Sequence, residues 1–188
     1  MEKPDEPQNQ RTMAHMNTDL KALLVHQLAK LYYAENQLVR ALKMMSNAAT
    51  EPALKAAFLA HRVETKGHVD RIAATFPELN ENVQAHTCQA IEGLLENGKW
   101  MIHTMKPGAT LDIALIGAAQ QVELFELASY RNVIGLAKQL RSEKVAELCE
   151  GILCEELEAD SKLTEIARDL GQENSISLAL ENVEPSGS

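Results

Sequence analysis

Acidic residues stand in this chain where buried apolar ones are expected. Leu24, Leu28, Leu31, Glu35, Leu38, Leu42 and Met45 follow one another at alternating steps of four and three residues, the stripe a helix buries, and only Glu35 among them is not apolar. A second helical stretch places Glu64 between His61 and His68 on one side. A third carries Glu123 and Glu126 one turn apart, and a fourth carries Glu156 and Asp160 in the same relation. An isolated carboxylate in such a stripe protonates or finds a partner, because burying its charge alone is costly. No Lys or Arg shares these stripes to pair with them. A pair of divalent ions would remove the penalty. Carboxylates with one or two imidazoles suit Fe(II), Mn(II) or a mixed pair, and disfavour copper and zinc. Such ions, held and bridged by carboxylates with open positions left over, react with dioxygen or peroxide.

The elements that must position these groups are helices. Ala, Leu and Glu are plentiful and aromatics make up only 4% of the chain, which favours helix over sheet. Asn17 and Thr18 are N-cap types opening a helix to about Asn47, and Thr50 is placed to cap a second one that stops at Phe76-Pro77. An amphipathic piece from about Thr87 to Met105, with Ile91, Leu94, Leu95, Trp100 and Ile102, ends at Pro107-Gly108. A third long helix starts near Thr110. A fourth follows Ser142, with Gly171 as a C-cap residue. Short links make two antiparallel hairpins, and the long connection between them holds the short helix. The expectation is an all-α, ferritin-like four-helix bundle over residues 18–171, with a long crossover containing a short fifth helix. Residues 1–17 are expected as a flexible tail and 172–188 as a C-terminal tail.

The hairpins echo each other. Glu35 and Glu64 are 29 residues apart, Glu126 and Glu156 are 30 apart, and the corresponding steps to His68 and Asp160 are 33 and 34. Equal arms bring these side chains to one level, so all four long helices point acid at one spot. Glu35 and Glu126 emerge as counterpart bridging carboxylates. His61 and His68 serve either as ligands or as support for them. Tyr32 and Tyr130, each one turn from a candidate acid, either hydrogen-bond a ligand or simply pack.

Composition narrows the setting. With 188 residues and 45% hydrophobic content the chain suits one domain with a sizeable core. A net charge of −9 argues against nucleic-acid partners and for cations. Cys88, Cys149 and Cys154 have no CxxC spacing, which fits core packing in a reducing compartment. No apolar run approaches the ~20 residues of a membrane span, and the polar stretch Met1–Met16 lacks the apolar core of a signal peptide. A cytoplasmic address is the expectation, with Met13 or Met16 as alternative starts.

At these same residues the chain resembles the YciE/YciF-like family of ferritin-like bacterial proteins, most closely its YciF branch. The matching words are Leu31-Tyr-Tyr-Ala-Glu-Asn-Gln-Leu38, His61-Arg-Val-Glu-Thr65, Cys88-Gln-Ala-Ile-Glu-Gly-Leu94, Ala118-Ala-Gln-Gln-Val-Glu-Leu-Phe-Glu-Leu-Ala-Ser-Tyr130, and Glu155-Glu156 followed by Asp160-Ser-Lys-Leu163. They span residues 19 to 170 or so. The resemblance implies a dimetal bundle, commonly a homodimer, linked to stress responses. The third long helix also looks like the Glu-x-x-Glu of rubrerythrins. Carried over, that makes Glu35, Glu64, Glu123, Glu126 and Glu156 the metal carboxylates, with Asp160, His61 and His68 as ligands or their supports. The four-cysteine iron site of rubrerythrins has no counterpart here, since three scattered cysteines cannot form one. Two functions follow as alternatives: a di-iron or Fe/Mn centre reacting with dioxygen or peroxide, or a protective protein in which metal only stabilises the fold.

Overall fold

The computed structural model describes the backbone over residues 8–181 and side chains over 18–171. Five helices follow in order: α1 (Gln8–Ala48), α2 (Pro52–Glu78), α3 (Gln89–Thr104), α4 (Ala109–Gln139) and α5 (Glu143–Glu181), and no strand occurs among the described residues. Helix α1 packs on α2 and α4, and α5 packs on α2 and α4, which closes a four-helix ring. Helix α3 lies outside the ring against α4 and α1, so the long crossover with its short helix is as expected.

Both ends of the bundle are plugged with apolar side chains. One plug includes Leu24, Leu28, Ile72, Phe76, Val133 and Ile152. The other includes Leu42, Leu54, Phe58, Leu115, Leu163 and Ile166. Fully burying one such side chain contributes about 1.5–3 kcal/mol. A smaller cluster of Leu38, Cys88, Ile91 and Val122 seats α3. Trp100, expected on the apolar side of α3, faces solvent instead at 61% exposure. Between the plugs every long helix contributes polar side chains to a buried belt: Glu35, His61, His68, Glu123, Glu126 and Glu156.

The helix ends differ in detail from expectation. Helix α1 begins at Gln8 rather than Thr18, because residues 8–17 contain neither Pro nor Gly to stop it. Gly171 does not end α5, which runs to Glu181; one helical Gly costs about 1 kcal/mol, and Leu178, Ala179 and Leu180 beyond it are strong helix formers. The tail expectations for 1–7 and 182–188 lie outside the described residues. Glu51, not Thr50, caps α2, accepting from the Ala53 amide at 3.2 Å. Thr50 turns to Asp112 on α4 instead. The Asp112 carboxylate accepts from the Thr50 amide (2.8 Å), the Thr50 hydroxyl and the Glu51 amide (2.9 Å). This buried acid fastens the α1–α2 turn to the start of α4. Gly108, at φ 142°, makes the turn into α4 that a side chain would strain.

Candidate metal centre

The belt gathers four carboxylates, Glu35, Glu123, Glu126 and Glu156, none more than 2% exposed. Two sets of three groups converge within it: Glu35, His68 and Glu156, and His61, Glu123 and Glu156. Within each set the atoms that could bind a cation lie within 4.8 Å of one another. Glu156 belongs to both.

The histidines are held in matching ways. His68 turns Nδ1 inward, 2.8 Å from Glu156 Oε1 and 3.4 Å from Glu35 Oε2. Its Nε2 meets Glu155 Oε2 at 2.9 Å, and Arg71 clamps that carboxylate from outside. His61 turns Nε2 inward, 3.4 Å from both Glu123 Oε1 and Glu156 Oε2, while its Nδ1 meets Glu64 Oε2 at 3.2 Å. A carboxylate on the outer nitrogen fixes ring orientation and raises the basicity of the inner one, as at metal-binding histidines. His61 and His68 are seven residues apart on α2, so both rings face the same side, with centroids 6.2 Å apart.

Hydrogen bonding inside the belt is incomplete in an informative way. Every buried side-chain atom without a hydrogen-bond partner, among the described residues, belongs to it: Glu35 Oε2, His68 Nδ1, Glu123 Oε2 and both oxygens of Glu126 and Glu156. His68 Nδ1 and Glu156 Oε1 are close enough for a hydrogen bond but not aligned for one. Ligand atoms aimed at a common point have this relation. Native interiors leave few such orphans, since each costs about 1–3 kcal/mol. Glu35 Oε1 is satisfied, accepting from the Tyr130 hydroxyl.

Electrostatics tell the same story. Burial, then the Glu35, Glu156 and Glu123 charges, hold Glu126 well above the usual carboxylate range. Burial lifts Glu156 to about 7 against the pull of His68. Burial pulls His68 down, but the Glu156 and Glu35 carboxylates beside Nδ1 outweigh it and carry the ring up to about 10. His61 is likewise raised well above the imidazole range, Glu123 and Glu64 overcoming burial. Tyr130 is held far above the phenol range by burial and then Glu35, so its hydroxyl stays a donor. The belt is thus a set of crowded bases that hold protons more tightly than the same groups do in water.

The sequence-derived set divides accordingly. Glu35, Glu123, Glu156, His61 and His68 fall in the convergent sets, and Glu126 lies buried beside them without joining either. Glu64 does not enter either convergent set; its side chain is 50% exposed, supports His61, and is held below the usual range by that hydrogen bond. Asp160 is also outside, its Oδ1 taking a 3.4 Å contact from Gln120 on α4. The carboxylate shared by the two sets is Glu156, where Glu35 and Glu126 were expected to bridge. Glu155 and Arg71 were missed, because Glu155 reads as part of an acidic surface run; the His68–Arg71 step on α2 was the available signal.

Comparison with known proteins bears out the resemblance. The chain is 39% identical over 149 residues to Protein YciF of Escherichia coli strain K12, spanning 79% of this chain and 90% of that protein. The crystal structure of the E. coli stress protein YciF superposes with a TM-score of 0.79 at 37% identity, over 81% of this chain and 97% of that one. YcfI, a candidate structural protein of Rhodopseudomonas palustris, gives 0.75 at 31% identity, over 77% and 92%. A dodecameric thioferritin of Bacteroides fragilis shares the fold, with a TM-score of 0.63 at 16% identity over 82% and 90%. Residues 19–175 match the domain of unknown function DUF892. This chain therefore belongs to the DUF892 family, as a YciF-like member with a ferritin-like helical bundle.

Proposed function

We propose that the belt is a dimetal-carboxylate centre holding two divalent ions, Fe, Mn or one of each. The observation that carries it is the concentration of orphaned ligand atoms at one level of the bundle. Glu35, His68 and Glu156 would hold one ion, His61, Glu123 and Glu156 the other, with both Glu126 oxygens available to either. The donor set, carboxylates plus one imidazole per ion, fits these metals. When bound, such a pair supplies reversible one-electron steps toward dioxygen or peroxide. The chain's own part is to orient the ligands and to keep water from entering at the two ends of the bundle. Tyr130 fixes Glu35 and keeps a hydroxyl proton beside the centre; Glu155 and Glu64 fix the two rings; the apolar plugs close both ends. The stress setting of E. coli YciF and a homodimeric, cytoplasmic state are part of this reading.

Its test is metal analysis of protein purified without chelators or nickel, followed by anaerobic Fe(II) loading and peroxide. About two ions per chain and a fast ferric absorption change support it; loading with oxidant consumption no faster than free iron sinks the redox half. The second reading, a protective protein whose metal only stabilises the fold, draws support from the structural description of YcfI. Under it, Glu35→Gln with Glu126→Gln removes metal-dependent stability and changes no oxidant chemistry.

A further inference from the structure

A cavity of about 560 Å³ lies between α2 and α5, and its wall includes His61 and Glu123 but neither Glu35 nor His68. It therefore reaches the belt from one side. The space exists because the two helices turn short side chains toward it: Ala53, Ala56, Ala57 and Ala60 from α2, and Ala159 from α5. Where those alanines end, polar groups begin. Glu123 is 2% exposed, and its Oε2 has no hydrogen-bond partner. That buried oxygen sits just behind the wall, so a molecule in the cavity abuts the belt through Glu123 and His61.

Size separates the candidate occupants. One water takes up about 30 Å³ in the liquid, and dioxygen or peroxide is little larger, so an oxidant needs only a fraction of this space. Mainly apolar clefts of about 300–1,000 Å³ with a few convergent polar groups hold small organic molecules. Charge narrows the class. Glu64, Glu123 and Glu158 line the cavity against Lys162, which already pairs with Glu165 at 3.1 Å, and the His61 ring, which already meets Glu64 and Glu123. An anionic molecule meets a wall of its own sign.

We infer that this cavity binds an uncharged, predominantly apolar small organic molecule, one end of which lies against the ion position made by His61, Glu123 and Glu156. The cavity stands on its own geometry; the ion beside it rests on the dimetal reading above. Ala56 and Ala60 are solvent-open positions on α2, so Ala56→Phe and Ala60→Phe fill the space without overpacking the core.

The full-length protein, stripped of metal, is titrated with an uncharged naphthalene dye and the dye is displaced with 1-decanol. The same protein loaded with Co(II) is then titrated with 1-decanol while its visible absorption is followed. The inference expects one saturable dye site per chain, displaced by 1-decanol and weakened at least about tenfold in both variants, with a shift of the Co(II) bands. Unsaturable dye uptake, or affinity unchanged in both variants, overturns it. So does a Co(II) spectrum that ignores saturating 1-decanol. Normal dye binding with no uptake of Co(II) would uphold the cavity and overturn the dimetal reading, so the two fail separately.

Discussion

Replacing Glu126 by glutamine separates the cost of the acidic belt from its use. Neither oxygen of Glu126 has a hydrogen-bond partner, so Glu126→Gln breaks no bond. It preserves shape, removes a group whose ionisation is opposed by burial and by Glu35, Glu156 and Glu123, and adds amide donors beside those acids. Relief of one orphaned buried group is worth about 1–3 kcal/mol. In a chain of this length each kcal/mol moves Tm by about 2–4 °C. Metal-free Glu126→Gln should therefore melt about 2–12 °C above the wild type. Metal reverses the order. An ion at a hundred times its Kd stabilises the wild type by about 2.7 kcal/mol, and the variant keeps only part of that gain. Scanning calorimetry on chelator-stripped protein, with and without Mn(II), reads both effects. If the variant melts below the wild type without metal and gains as much from Mn(II), Glu126 is a structural acid and the reasoning is wrong.

Three further predictions concern the same belt and its supports. Glu156 is raised from 4.5 to about 7, and His68 from 6.5 to about 10, so both bind protons more tightly folded than unfolded. Their contribution to metal-free stability is then fully present below the unfolded values and lost as pH rises through about 7 for Glu156 and about 10 for His68. Urea midpoints of metal-free protein should fall across that window while metal affinity rises with proton release; midpoints that climb with pH contradict this. Glu155→Ala removes the acceptor on His68 Nε2 and should weaken metal binding about 10–100-fold in a Mn(II) titration, with little change in helicity. Asp112→Ala leaves three donors at the α1–α2 turn without their acceptor and should cost about 2–4 kcal/mol in urea unfolding, leaving metal stoichiometry unaltered.

How far the sequence carried can be traced residue by residue. Glu35 was legible because a stripe of apolar neighbours flanks it, and the level of the belt was legible because the two hairpins have arms of equal length. Rotation about each helix axis was harder. At about 100° per residue, the seven-residue step from His61 to His68 nearly closes two turns, so both rings face inward. The three-residue step to Glu64 falls about 60° short of one turn, which leaves that carboxylate at the rim. The four-residue step from Glu156 overshoots by about 40°, and Asp160 meets Gln120. One-turn spacing identifies a face, not a convergent set. The role of Glu155 was harder to read because Arg71, which holds it, comes from another helix, and only the His68–Arg71 step on α2 pointed to it. The helix ends were misjudged for a different reason: Gly171 and Thr18 carry end signals that neighbouring helix formers override.

The central claim is that four buried acids and two histidines exist to hold two ions. Crystals of the full chain grown with Mn(II) or, anaerobically, with Fe(II), measured for anomalous scattering on either side of the metal edge, test it most directly. Two peaks inside the bundle are predicted, one among Glu35, His68 and Glu156 and the other among His61, Glu123 and Glu156. Metal found only on the surface, with a well-ordered belt and no internal peak, would contradict the account.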